Sequence, residues 1–240
     1  MVIPAGFERP PQRSFKPRRR GLSPTRTVAF ERAMTRWGIA VAGPALRWPD
    51  LFDHASSGDP AVVLDIGFGA GEALIELAET RPDEHVIGID VHTPGIAAVL
   101  DAVESRALRN VRVVDGDVLD FVGRIPDGSL SAIRAFFPDP WPKHRQRGRR
   151  LIRHDVVARL VPLLRSNGEL QLASDAADYV AQMRTVCDAH PVLHGGVVER
   201  PSWRPRTRFE QRGLDAGRAP VDLLYIASAS SPSESSSALR

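Results

Sequence analysis

From Ala61 onward the chain alternates short apolar runs with longer amphipathic stretches, and that alternation leaves few folds open to it. Ala61 to Ile66 is apolar apart from Asp65 and closes on Asp65-Ile66-Gly67. His85 to Val91, Val111 to Val114, Leu130 to Phe137 and Gly168 to Ala173 repeat the pattern. Strands apolar on both faces belong in a parallel sheet covered on both sides. Gly71 to Thr80, Pro94 to Ser105, Leu151 to Leu164 and Ala176 to His190 read as the intervening helices, which makes the expected fold α/β. Two more strands are expected around Val197 to Glu199 and Val221 to Ala227, with Arg200 to Gly217 a long basic loop between them. A loop of that length in a compact domain is either functional or disordered.

The 240 residues suffice for one good core, and a single domain over residues 23–228 is expected. Residues 1–22, rich in Pro and Arg, read as a flexible basic arm, and the serine-rich residues 229–240 as a disordered tail. Ser23-Pro24 offers an N-cap with proline at the first helical position, which predicts a helix through Arg36. Trp48 is expected to pack onto the core.

A formal charge of +3 conceals an uneven distribution. Basic residues gather in the N-terminal arm, between Lys143 and Arg153, and between Arg200 and Arg212. Three cationic patches point to a polyanionic partner, although each alone also fits a solvated surface. The lone Cys187 excludes an intrachain disulfide and a cysteine-based zinc site, and its helical setting predicts a buried thiol. The seven histidines show no ligand-like pairing, and no metal is expected. No run approaches a membrane span, and the first residues lack the apolar core of a signal peptide, so a cytoplasmic protein without membrane contact is expected, monomeric or homodimeric.

Gly67-Phe68-Gly69-Ala70-Gly71 sits at the turn from the first strand into the first helix of the alternation. Glycines there allow positive φ and a close backbone approach to a ligand. The dinucleotide fingerprint places its third glycine or alanine one residue later, and Glu72 at the helix start would repel a pyrophosphate. Asp90 closes the second strand, where an acid can accept both ribose hydroxyls of an adenosine, and Asp117 follows the third, where a carboxylate can accept from an adenine amino group. Each feature alone is equally a turn or a helix cap. Together, on one sheet edge, they resemble the class I methyltransferase fold, with S-adenosylmethionine over the end of the first strand and Asp65 orienting its methionine end.

Past the fourth strand, Phe136 to Arg150 places Asp139 between Pro138 and Pro140, then Trp141 and a basic run. Proline on both sides stiffens the backbone and removes two N–H donors, so this is a rigid loop at the edge where parallel sheets place chemistry. Trp141 either stacks on a base or anchors the loop. Lys143 and the arginines beyond it suit phosphate contacts.

V-L-D-I-G-F-G-A-G-E, V-I-G-I-D-V-H, F-F-P-D-P-W-P-K and T-R-F-E-Q-R-G, in this order and at these separations, resemble the bacterial tRNA (guanine-N(7)-)-methyltransferase family from about Arg13 to the last strand. The resemblance implies a Rossmann-like, mostly parallel seven-stranded sheet with helices on both faces and an antiparallel last strand. It implies methyl transfer from S-adenosylmethionine to guanine 46 in the tRNA variable loop. It places the cofactor against Asp65, Gly67, Gly69, Gly71, Asp90, Asp117 and Asp139, and gives Asp139 the catalytic position. Lys143, Asp175, Thr207, Arg208, Phe209 and Glu210 fall at substrate-binding positions, Asp175 and Glu210 being candidates for the guanine edge unless nearby arginines hold them. The chain departs from the family pattern with aspartate for glutamate at 65 and 90, Gln146 and Gly148 in the basic run, no tryptophan after Asp175, and Arg208 for lysine.

Guanine N(7) carries an in-plane lone pair and no proton, so its methylation needs positioning rather than a general base. A fixed carboxylate at Asp139 can accept from the guanine N(1)–H and amino group and stabilise the charge that builds on the purine. Two other readings remain at this point: a nucleotide-dependent oxidoreductase, disfavoured by the glycine spacing and Glu72, and a non-catalytic RNA-binding protein on the same fold, disfavoured by the acids at 65, 90, 117 and 139.

Overall fold

The computed structural model describes residues 21–52 and 60–228. Nearly all of the proposed basic arm, and the serine-rich tail, therefore lie outside the described residues.

The elements in chain order are α1 (Pro24–Trp37), α2 (Trp48–Leu51), β1 (Ala61–Ile66), α3 (Glu72–Thr80), β2 (Glu84–Asp90), α4 (Thr93–Ser105), β3 (Val111–Asp115) and α5 (Val118–Phe121). There follow β4 (Leu130–Phe136), α6 (His154–Leu160), β5 (Leu164–Ser174), α7 (Ala177–Asp188), β6 (Leu193–Val198), α8 (Arg208–Asp215) and β7 (Val221–Ala227). The strands form one seven-stranded sheet in the order β3-β2-β1-β4-β5-β7-β6. Strands β1 to β5 pair in parallel, and β7 runs antiparallel to both β5 and β6. The order reverses direction between β1 and β4, which opens a crevice beyond their carboxyl ends.

Alternation along each strand feeds two cores. Val86, Val111 and Val113 join Trp37, Leu74 and Leu100 in the layer under α1, α3 and α4. Ile87, Ile89 and Val114 join Leu160, Tyr179 and Met183 in the layer under α6 and α7. Each such fully buried side chain contributes about 1.5–3 kcal/mol. Cys187 is buried in the second layer, where burial pushes its thiol up to about 12, and Trp48 packs against the same layer. The β3 edge is covered by Gly38, which bridges Val113, and by the Ile39 amide donating to the Val113 carbonyl at 2.8 Å.

The expected helix Leu151 to Leu164 is shorter, running from His154 to Leu160, with a 3₁₀ turn over Val161–Leu163 around Pro162. The released residues extend β5 back to Leu164, across a register irregularity opposite Leu130 and Ala132. Strand β6 begins at Leu193, earlier than the expected Val197, because Gly195 and Gly196 weaken the strand signal without preventing the pairing with β7. The long loop Arg200 to Gly217 is overturned in its second half, which forms α8. Thr207 caps that helix by accepting from the Glu210 amide at 3.2 Å.

One buried guanidinium fixes α8 to the sheet. Arg204, 2% exposed, donates to both carboxylate oxygens of Glu210 on α8 at 2.8 and 2.9 Å. It donates equally to both oxygens of Asp222 on β7 at 2.5 and 3.0 Å. Removing it strands buried Asp222 and leaves Glu210 with Arg200 alone, and breaking a buried pair costs about 3–5 kcal/mol. Urea unfolding of Arg204→Met should show a loss of that size, and adding Glu210→Gln and Asp222→Asn should restore much of it; no recovery in the triple variant would mean that the packing of Arg204, not its charge, is what matters.

Candidate active site at the carboxyl edge of the sheet

The turns after β1, β2, β3 and β4 converge on the crevice. Gly67 and Gly69 adopt φ of 75° and 59°, and a Cβ built on either would meet nothing within 4 Å. Packing therefore does not require glycine at these two positions, and the space beside them is open for a ligand. Gly71 is different: a Cβ there would lie 2.1 Å from Val99 Cγ2 on α4. It serves the close approach of α3 to α4 and lines neither of the cavities described below.

Asp90 pins the glycine turn to the end of β2. Its Oδ2 accepts from the Gly69 amide at 2.7 Å, and its Oδ1 from the amides of Val91 and His92 at 2.6 and 2.7 Å. A carboxylate offers roughly four acceptor positions, which leaves about one for a ligand. Asp117 accepts from the Leu119 amide at 3.0 Å and so caps α5. Both acids nonetheless face a cavity of about 570 Å³ whose far wall carries Asp139 and Trp141, a volume typical of small-molecule sites.

A second cavity, about 470 Å³, shares Gly67, Gly69 and Phe137 with the first. Asp65 and Glu72 line it from the sheet side, and Thr207, Arg208, Phe209 and Arg212 from α8. The Arg208 amide donates to Glu72 Oε2 at 2.8 Å, and its guanidinium reaches Glu72 Oε1. That backbone N–H, together with the Arg208 and Arg212 guanidiniums, holds the Glu72 carboxyl below its usual range against a smaller opposing effect of burial. Asp65, 3% exposed, is pushed the other way, up to about 6, by burial; nearby Arg134 opposes this and Asp90 adds to it.

The Asp139 loop is held under strain. Phe137 and Trp141, on either side of Pro138-Asp139-Pro140, have φ of 54° and 40°. Such backbone in bulky residues costs about 1–3 kcal/mol each and persists only where the surroundings enforce it. The enforcing group is Arg150, 1% exposed, which donates to the Pro140 carbonyl at 2.8 Å and to Gln182 at 2.9 Å, ion-pairs with Asp178, and lies 4.7 Å over the Tyr179 ring. This corrects the assignment of the whole basic run to phosphates: Arg150 faces inward. Arg147 pairs with Asp178 at 3.4 Å, and Arg149 lies 5.2 Å over Trp141. Lys143, His144 and Arg145 are exposed.

The remaining substrate candidates separate in space. Phe209 is 55% exposed, with its ring 5.5 Å from that of Phe137. Glu210 is buried in the Arg204 pair, and Asp175 accepts from Arg218 at 2.8 Å. For both acids the arginine partner is what the structure contains, and neither they nor Lys143 line the two cavities. Arg150 and Arg204 were missed because Asp178 and Asp222, which draw them inward, lie 28 and 18 residues away in sequence; only the T-x-x-E capping pattern at Thr207 was readable in advance. Among the described residues no group of three or more His, Cys, Asp or Glu could hold a metal ion, and no helix is long and apolar enough to cross a membrane.

A family model described as "Putative methyltransferase" matches residues 59–223. The tRNA (guanine-N(7)-)-methyltransferase of Streptomyces avermitilis is 40% identical over 230 residues, covering 92% of this chain and 78% of that protein. That of Acidithiobacillus ferrooxidans is 46% identical over 182 residues, covering 72% and 80%. Among solved structures, a methyltransferase from Geobacter sulfurreducens, 16% identical, matches with a TM-score of 0.50 over 85% of this chain and 89% of that one. The precorrin-6y C5,15-methyltransferase of Geobacter metallireducens, 14% identical, also gives 0.50, over 71% and 81%. The two structures share the fold.

Asp65 binds its proton more tightly in the folded chain than in the unfolded one, where its value is 3.8. Its contribution is therefore fully present below pH 3.8 and is lost as pH rises to about 6. Asp65→Asn should stabilise the unliganded protein at pH 7 by on the order of 2–3 kcal/mol relative to wild type, with the gap closing toward pH 4. Urea unfolding of both proteins across that range checks this; a pH-independent difference would contradict it.

Proposed function

Because the chain belongs to the tRNA (guanine-N(7)-)-methyltransferase family, we propose that it methylates N(7) of guanine 46 in the variable loop of tRNA, with S-adenosylmethionine as donor. The observation that carries this reading is the pair of cavities meeting at Gly67, Gly69 and Phe137, one walled by Asp90, Asp117 and Asp139 and the other by Asp65 and α8. The residues suit the donor: open Cβ positions at Gly67 and Gly69 admit a ligand against the backbone, and the acids match its hydroxyls, amino groups and positive charge. When bound, the donor supplies a methyl group on a sulfonium, electrophilic enough to need no acid or metal assistance.

The chain's own groups then have positioning roles. Gly69 is held by Asp90, whose remaining acceptor position faces the first cavity. Asp139, on the strained loop that Arg150 anchors, accepts from the Watson–Crick edge of guanine and offsets the charge that develops on the purine. No proton moves in this step, and Asp139 does not act as a base. Lys143 and Arg145, exposed beside the loop, take tRNA phosphates.

Incubation with bulk tRNA and methyl-labelled S-adenosylmethionine, followed by cleavage at modified guanines, should place the label at a single variable-loop guanine. Stabilisation by NAD in a melting assay, without stabilisation by S-adenosylhomocysteine, would instead indicate an oxidoreductase. Asp139→Asn should lower kcat about 100-fold, in the range found on losing one preorganised electrostatic group. It should not abolish a limb of the pH profile, and the loss of such a limb would make Asp139 a base. Lys143→Gln should weaken tRNA binding and reduce the salt slope of log Kd by about 1; an unchanged slope would remove Lys143 from the interface.

A further inference from the structure

The chain has four tryptophans, and packing accounts for three of them. Trp37 is buried in the layer under α1, α3 and α4, and Trp48 packs against the other layer. Trp203 lies under the guanidiniums of Arg81 and Arg134, 4.9 and 5.4 Å from its ring centre. Trp141 differs: among the described residues it belongs to neither core layer, and it is half-buried. It lines the first cavity together with Asp139, two positions before it.

Its neighbours fix where the ring stands. A φ of 40° is costly in so large a residue and persists only where the surroundings hold it. Arg150 holds the Pro140 carbonyl just before it at 2.8 Å, and Arg149 lies 5.2 Å over the ring. The indole is thus a fixed part of the cavity wall. Had its task been to anchor the loop, it would be sunk among apolar side chains, as Trp37 is. A guanine in folded tRNA must leave its stacked neighbours before N(7) can meet a donor inside a cavity, and it loses their stacking on the way. Asp139 can accept from the edge of the base but offers nothing to its faces. An aromatic ring does.

We propose that Trp141 is the stacking platform for the target guanine, its ring taking a face of the purine while Asp139 takes the edge. This rests on a tRNA guanine being the substrate. Stacking sets the plane of the purine, and the hydrogen bonds to Asp139 set its rotation within that plane, so the two together aim the N(7) lone pair. Asp90 and Asp117 come from the turns after β2 and β3, whereas Trp141 comes from the turn after β4, so the ring serves the base and not the donor.

Trp141→Leu should lower kcat/KM for tRNA about 10- to 100-fold, the size of one base–aromatic stack, with S-adenosylhomocysteine affinity and melting temperature unchanged. Trp141→Phe, which keeps a smaller ring, should recover part of the loss. Tryptophan emission read in the presence of S-adenosylhomocysteine needs no disabling variant. In wild type it should fall on adding tRNA, and the fall should be absent with Trp141→Phe and with a tRNA carrying adenine at the target position. Full activity in Trp141→Leu would overturn the proposal. Loss of S-adenosylhomocysteine affinity and melting temperature along with activity, with emission indifferent to the target base, would make Trp141 a loop anchor and also overturn it. A wild type that leaves tRNA unmethylated would instead overturn the tRNA reading, and the platform with it.

Discussion

The geometry of the site depends on one carboxylate meeting three backbone amides. Asp90 accepts from Gly69, Val91 and His92, so the glycine turn after β1 is tied to the end of β2 rather than left as a mobile loop. Both cavities share Gly67 and Gly69, so this tie sets the common wall of each. It also explains why aspartate suffices here. The side chain does not have to reach far into the crevice, because its first task is local and its ligand-facing capacity is what remains.

Two buried arginines extend that frame to the other walls. Arg150 holds the Pro140 carbonyl, which braces a loop whose flanking aromatics have left-handed backbone. Arg204 joins α8 to β7 and lies 5.5 Å from the Phe137 ring, the residue the two cavities share. Each guanidinium fills its donors with carbonyl or carboxylate oxygens, which allows charge to be buried near a ligand site at tolerable cost. The result is a crevice whose donors and acceptors are fixed before anything binds, and fixed positioning is what methylation of a nucleophile with a free lone pair requires.

Much of this frame was legible in the chain. β1 and β7 begin and end where the apolar runs predict, because each run is interrupted by a single aspartate, Asp65 or Asp222, and carries no competing helical pattern. The acids at strand ends were identifiable because parallel topology sends them all to one edge. Asp117, however, serves as the cap of a helix too short to read from periodicity. α8 was hidden by the abundance of Arg and Pro around a capping box that was itself readable. The inward turn of Arg150 and Arg204 was not legible at all: their partners Asp178 and Asp222 lie 28 and 18 residues away, and only the fold brings them together.

That last failure bears on how a basic sequence should be read. Counterion release at a nucleic acid comes from cations that are free to meet phosphates, not from those already neutralised within the fold. In the C-terminal segment Arg200, Arg204, Arg208 and Arg218 are ion-paired, so a patch that looks strongly cationic in sequence contributes mainly architecture. The free cations divide by location. Lys143 and Arg145 are exposed beside the Asp139 loop, and Arg212, also exposed, lines the second cavity. Charge that a composition count treats as one feature is thus divided by the fold into arginines buried or paired as ties and cations left exposed.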